Sequence, residues 1–253
     1  MADGELAGVG VLVTRPRHQA TGLVDAIVAH GGNAIGFPVI EIRPYAKEAI
    51  RDAAEQLRDP DITIFVSVNA VEYGLAEAGS ARIAAIGPAT AAAIEAGGRS
   101  NDIRSEAGYN SEHLLGEPEL HNVAGKVVRI VRGNRGRELL AETLRARGAV
   151  VDYLSVYERQ LPTYATAELD NLERQWRAGE VNVVTIMSVE SLRNLIRLLP
   201  GWCASQLVDT PLVTPATRVI KEAREQFPGL PATLARGPQA GDMVDAIITC
   251  TQT

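Results

Sequence analysis

A chain of 253 residues, 46% hydrophobic and 22% charged, holds enough apolar material for two soluble domains of ordinary size. A net charge of −6 argues against a nucleic-acid or membrane partner, and no apolar run approaches the roughly 20 residues needed to span a bilayer. Cys203 and Cys250 form neither a disulfide framework nor a metal-ligand spacing, and "MADGELAG" lacks the basic start and apolar core of a signal peptide, so a cytoplasmic home is expected.

In chain order, the buried-strand pattern "GVLVT" (10–14) leads into the helical pattern "QATGLVDAIVAHGG" (19–32). The strand "ITIFVS" (62–67) leads into "NAVEYGLAEAG" (69–79), and "RIAAI" (82–86) into "ATAAAIEAGG" (89–98). "VVRIVR" (127–132) precedes "GRELLAETLRARG" (136–148), after which "VDYLSV" (151–156) reads as a further strand. "VNVVTIM" (181–187) precedes "VESLRNLIRLLPG" (189–201), and "TPLVT" (210–214) closes the series. Short, continuously apolar strands alternating with Gly-terminated helices predict an α/β fold built on parallel sheets with right-handed crossovers.

The chain also echoes itself. Residues 10–44 resemble 127–162, and 61–71 resemble 181–192. Pro-Ala-Thr opens a helical run at 88–90 and again at 215–217. This is a duplicated unit, and it supplies two sets of strand-to-helix turns.

Ligands of open parallel sheets bind at the carboxyl ends of the strands. The polar residues expected there are Thr14, Arg15, Ser67, Asn69, Thr90, Arg132, Asn134, Ser188 and Thr217. Each hydroxyl or amide fits two roles, capping its own helix or helping a helix N-terminus hold a carboxylate. Arg132, Arg135 and Arg137 cluster before a helix, as a solvated face or as anion contacts. "GVGVLVTR" is no dinucleotide fingerprint and "RGNRGRE" no phosphate loop. His18, His30, His113 and His121 lack metal-ligand spacing, and there is no nucleophile elbow, so covalent or metal catalysis is not expected.

The ordered series "VLVTRP", "FVSVNAVEY", "AAIGPATAAAIEAGG", "VVRIVRGNRGRELLAETLRARGAVVDYLSVYERQ", "IMSVESLRNL" and "LVTPATRVI" resembles the uroporphyrinogen-III synthase family from about residue 9 to 250. The resemblance implies two similar flavodoxin- or Rossmann-like domains with helices on both sheet faces. One would comprise 1–37 plus 163–253 and the other 45–154, with 38–44 and 155–162 as a two-stranded antiparallel connector and a cleft between the domains. Duplication alone would allow a tandem split near residue 122 instead.

The resemblance further implies a lyase reaction, the dehydrative cyclisation of hydroxymethylbilane with inversion of its last pyrrole ring. No cofactor or metal is expected. The implied partners are this linear tetrapyrrole and the enzyme of the preceding step. Tyr157 matches the family's connector tyrosine and is expected to assist departure of the hydroxyl. Ser67, Ser188, Thr217 and the Gly87–Pro88 turn match its binding turns. Where many members carry Gly-Pro-Thr-Thr, this chain has Thr214-Pro-Ala216-Thr217, a departure that also fits a synthase-like domain retaining tetrapyrrole binding for regulation.

Overall fold

A computed structural model describes residues 4–105, 108, 110–136 and 138–252; Arg137 lies outside them. The first stretch contains β1 (Gly10–Val13), α1 (Arg17–Ala29), β2 (Asn33–Gly36), β3 (Glu41–Pro44) and α2 (Lys47–Glu55). It continues through β4 (Ile62–Phe65), α3 (Val68–Gly74), β5 (Arg82–Ala85), α4 (Pro88–Ala96) and β6 (Ile103–Arg104). Next come α5 (Ser111–Leu114), α6 (Pro118–His121), β7 (Val127–Gly133), α7 (Leu139–Ala146) and β8 (Val150–Gln160). The chain then forms α8 (Thr166–Arg177), β9 (Val183–Thr185), α9 (Val189–Leu198) and α10 (Gly201–Gln206). It ends with β10 (Leu212–Thr214), α11 (Thr217–Gln226), β11 (Ala232–Leu234) and α12 (Ala240–Thr251).

Two compact units result, one of Met1–Glu41 with Gln160–Thr253 and the other of Ile42–Arg159. The first carries a five-stranded sheet in the order β11-β10-β9-β1-β2, parallel throughout. The second carries the order β3-β8-β7-β4-β5-β6, parallel from β8 to β6, with β3 at its edge. Matching β1 with β7, β2 with β8 and β9, β10, β11 with β4, β5, β6 makes the two orders the same apart from β3, which has no counterpart. The β1–α1–β2 segment of the first repeat therefore pairs with strands of the second repeat, and the reverse holds for β7–α7–β8. Residues 155–160 are no separate strand but the end of β8, which runs unbroken from Val150.

Burial explains why the strands form where they do. Every residue of β1 and β4 is buried, as a strand covered on both faces requires, whereas the edge strand β3 has no buried residue. In the second unit, alternate residues feed two cores. Ile62, Ile64, Ala84, Val128 and Ile130 pack with α7 on one face. Phe65, Ile83, Ala85, Val131 and Leu154 pack with α2, α3 and α4 on the other. Each Ile, Val, Leu or Phe among these contributes about 1.5–3 kcal/mol when fully buried. In the first unit, Val11, Val13, Val183 and Val213 pack against α1 and α12.

Local signals set the helix ends. Ser67 and Ser188 cap α3 and α9 by accepting from Ala70 N and Ser191 N. Gly148 follows α7 with φ 85°, a left-handed position that favours glycine.

Among the described residues two guanidinium groups are buried, those of Arg129 and Arg132, and the first of them braces the scaffold. Arg129 of β7 is 4% exposed and donates to the carbonyls of Ala54, Arg58 and Glu77. It thereby satisfies acceptors that the end of α2 and the 75–78 turn leave open. Among the described residues, no helix is long and apolar enough to cross a membrane.

Candidate active site

The β4–α3 turn of the second unit carries Ser67 in extended backbone, its Oγ accepting from Ala70 N at 3.1 Å. Asn69 is the second residue of α3 and is buried. Opposite, on β8, lies Tyr157. The whole residue is 2% exposed and belongs to the α2–α3–α4 core, and its hydroxyl stands 3.2 Å from Ser67 Oγ. Tyr73 meets that ring edge-on, with centroids 6.3 Å apart. Burial, followed by the charge of Glu72, pushes the Tyr73 phenol above its usual range.

Strict alternation along β8 would not place Tyr157 there. Leu154 and Val156 face the core, so Tyr157 would share the opposite face with Tyr153 and Ser155. The ladder slips at this point: Arg132 pairs with Ser155 but Gly133 pairs with Tyr157. This bulge inserts Val156 as an extra residue, and Val156 and Tyr157 both enter the same core.

Arg132, at the end of β7, is 7% exposed and pairs with Glu138 at 3.0 Å. Its guanidinium also lies 4.7 Å from the centre of the Tyr153 ring, and Tyr153 donates its hydroxyl proton to Glu138. Arg145 flanks the same ring at 5.5 Å. The Tyr153 hydrogen bond, then that from Arg132, hold the Glu138 carboxyl below its usual range. Arg132 thus has its charge matched within the unit. Asn134 donates its backbone N–H to the Tyr157 carbonyl at 2.9 Å, and Arg135 is exposed.

The paired Pro-Ala-Thr junctions are built differently, and neither threonine is a cap. Gly87 occupies the N-cap of α4 without a side-chain bond, Pro88 opens the helix, and Thr90 is buried inside it. At the second junction Ala216 is the N-cap, and Thr217 is the exposed first residue of α11. Thr214 accepts from Ala216 N at 3.2 Å, a contact that Gly87 has no side chain to make.

In the first unit, Thr14 is buried and donates to the Thr185 carbonyl at 2.6 Å, while Thr185 Oγ1 donates to that of Leu12. The Thr14 hydroxyl therefore ties β1 to β9 instead of capping α1, whose N-cap is Pro16. Arg15 is half-buried and donates to the Pro238 carbonyl, and its buried Nε has no partner. Burial pulls its guanidinium below the usual value, and no carboxylate among the described residues compensates it. Ser188 Oγ accepts from Ser191 N at 3.1 Å and lies 2.9 Å from Ser191 Oγ.

Comparison with known proteins decides the family. The model of "Uroporphyrinogen-III synthase HemD" matches residues 22–245. The chain belongs to the uroporphyrinogen-III synthase family. It is 34% identical to the uroporphyrinogen-III synthase of Escherichia coli K12 over 227 residues, 86% of this chain and 91% of that one. Identity to the Salmonella typhimurium synthase is also 34%, over 228 residues with the same coverage. Solved synthases from Thermus thermophilus, a mutant form, and from Helicobacter pylori share the fold, with TM-scores of 0.63 and 0.64. They cover 96% and 95% of this chain and 99% of their own, at 19% and 14% identity.

Within this family member, the structure brings Ser67 and Tyr157 together, leaves Arg15 without a carboxylate and leaves Thr217 exposed. It places Thr14 and Thr90 inside and matches Arg132 with Glu138. Glu138, Tyr153, Tyr73 and Gly133 were not expected from the sequence. Glu138 stands six residues from Arg132 across an irregular turn, a spacing that no periodic pattern reveals. The other three declare themselves only through contacts across strands and helices.

Proposed function

We propose that the chain catalyses the uroporphyrinogen-III synthase reaction as a cytoplasmic hydro-lyase. Hydroxymethylbilane loses water, and attack on the substituted carbon of the last ring inverts that ring in the closed macrocycle. The observation that carries this reading is the 34% identity to the Escherichia coli synthase across 86% of the chain.

The chemistry suits the residues. The dehydrated substrate closes unaided to the wrong isomer, so the protein must orient it more than activate it. Orientation can lower a barrier by about 7–11 kcal/mol at the limit. The acetate and propionate arms call for anion contacts, and an arginine without a carboxylate partner is suited to one. In this reading Arg15, the helix starts at Ser188, Gly87 and Thr217, and polar side chains including Asn69 hold substrate carboxylates. Thr14, Thr90 and Arg132 act from behind by fixing the turns that carry them. A substrate this labile favours direct receipt from the enzyme of the preceding step.

Tyr157 acts through its hydroxyl, since its ring lies in the core. Ser67 Oγ spends one lone pair on Ala70 N and keeps one proton to donate. Given to the Tyr157 oxygen, that bond frees the phenol proton for the departing hydroxyl and steadies the phenolate that forms.

Expression in a bacterium lacking its own uroporphyrinogen-III synthase tests the proposal. Haem-independent growth is expected to return, and growth that still requires added haem would contradict it.

A further inference from the structure

We infer that Gly133 is a positioning residue for Tyr157, and that its missing side chain, with the bulge it borders, aims the phenol at Ser67. The inference rests on the reading of Tyr157 as the group that assists dehydration. Gly133 does not owe its identity to backbone conformation, because it is absent from the glycines with positive φ. Its role is space. A Cβ built there would stand 2.6 Å from Cε2 of the Tyr157 ring and 2.8 Å from Cζ, the carbon that bears the hydroxyl. Ordinary carbon contacts begin near 3.5 Å, so the ring would have to move.

The ring has little freedom to yield sideways, since Val131, Val156 and Tyr73 pack in the same cluster. Its backbone is held too. Asn134 N donates to the Tyr157 carbonyl at 2.9 Å, and Asn134 Oδ1 accepts from Arg159 N at 3.3 Å. A methyl group at residue 133 therefore acts on the far end of the ring, and the 3.2 Å contact with Ser67 is what it disturbs. Glycine, bulge and asparagine together turn a residue that strand alternation would send to the opposite face into one whose hydroxyl meets the β4–α3 turn.

The test compares Gly133→Ala, Tyr157→Phe and the double variant, with preformed hydroxymethylbilane as substrate. The ring resonances of ¹³C-tyrosine-labelled protein are recorded alongside, that of Tyr157 being identified by its loss in Tyr157→Phe. Gly133→Ala is expected to shift the Tyr157 resonance and lower kcat by about tenfold with KM within about twofold. On the Phe background it should lower kcat no further, since a misaimed ring without a hydroxyl has nothing left to lose. An unmoved Tyr157 resonance, or a kcat loss that repeats in full on the Phe background, would overturn the inference. If the resonance moves while Tyr157→Phe keeps full turnover, the role of Tyr157 itself fails, and the positioning role with it. If Gly133→Ala does not fold, Gly133→Ala/Tyr157→Leu should fold and melt with Tyr157→Leu. A pair that stays unfolded would show that the ring is not what the methyl meets.

Discussion

Tyr157 and Ser67, 90 residues apart in the chain, meet hydroxyl to hydroxyl at 3.2 Å while Ser67 also caps α3. One side chain thus serves both the helix start and the phenol. The two substitutions should separate these duties. Tyr157→Phe keeps the ring packing and is expected to slow product formation by roughly 10 to 100 fold, with a thermal midpoint near that of the parent. Ser67→Ala loses the cap as well, so about 1 kcal/mol of stability should go with a smaller loss of turnover. Steady-state kinetics and melting of both variants check this, and parental turnover in Tyr157→Phe would make the residue structural.

The duplicated junctions should behave differently under the same change. Thr90 is buried inside α4, so Thr90→Ala is expected to cost stability, on the order of 1 kcal/mol, and little activity. Thr217 is exposed at the start of α11, so Thr217→Ala should lose several-fold in kcat/KM and melt close to the parent. Activity losses that simply follow stability in both variants would place substrate contacts elsewhere.

Arg129 offers a test of the scaffold. Arg129→Met keeps much of the bulk but leaves three carbonyl acceptors, of Ala54, Arg58 and Glu77, without their donor. A loss of about 3 kcal/mol or more is expected in urea unfolding, with turnover per folded molecule unchanged. A variant as stable as the parent would mean that water replaces the guanidinium at no cost.

Alkaline stability should depend on Tyr164. Its ring stacks on Phe37 and its hydroxyl donates to the Pro38 carbonyl at 2.6 Å, and burial pushes the phenol up to about 12. The folded state holds the proton above the range where the unfolded chain, with a pKa of about 10, releases it. The stabilisation is therefore complete below about pH 10 and is lost as pH rises toward the folded value. Tyr164→Phe should lower stability at neutral pH by about 1 kcal/mol and flatten this alkaline decline. Melting curves across that window decide it, and an unchanged slope in the variant would assign the decline to other groups.

The sequence showed the central parallel strands well because burial on both faces leaves unbroken apolar runs, as in "GVLV" and "ITIF", but not β2, β6 and β11, few of whose residues are buried. It also showed the duplication, which survives as order and spacing. It did not show α8, whose only buried residues are Leu172 and Trp176, too sparse a stripe to stand out. Hydroxyls at strand ends were legible as residue types but not as roles. Ser188 takes one of the two expected roles and caps its helix, whereas Thr14 takes neither and turns inward to a neighbouring strand. Arg129 and Gly133 were illegible for a common reason. A buried guanidinium meeting carbonyls, and a space that admits an aromatic ring, are facts about distant neighbours.

Whether this chain directs ring inversion can be read from the isomer composition of its product. Preformed hydroxymethylbilane is supplied with and without the protein, and the type III and type I uroporphyrinogens are separated and quantified. Type III should dominate with the protein present and type I without it. Tight binding of the substrate with a type I product unchanged from the protein-free control would contradict it and leave a tetrapyrrole-binding protein without synthase activity.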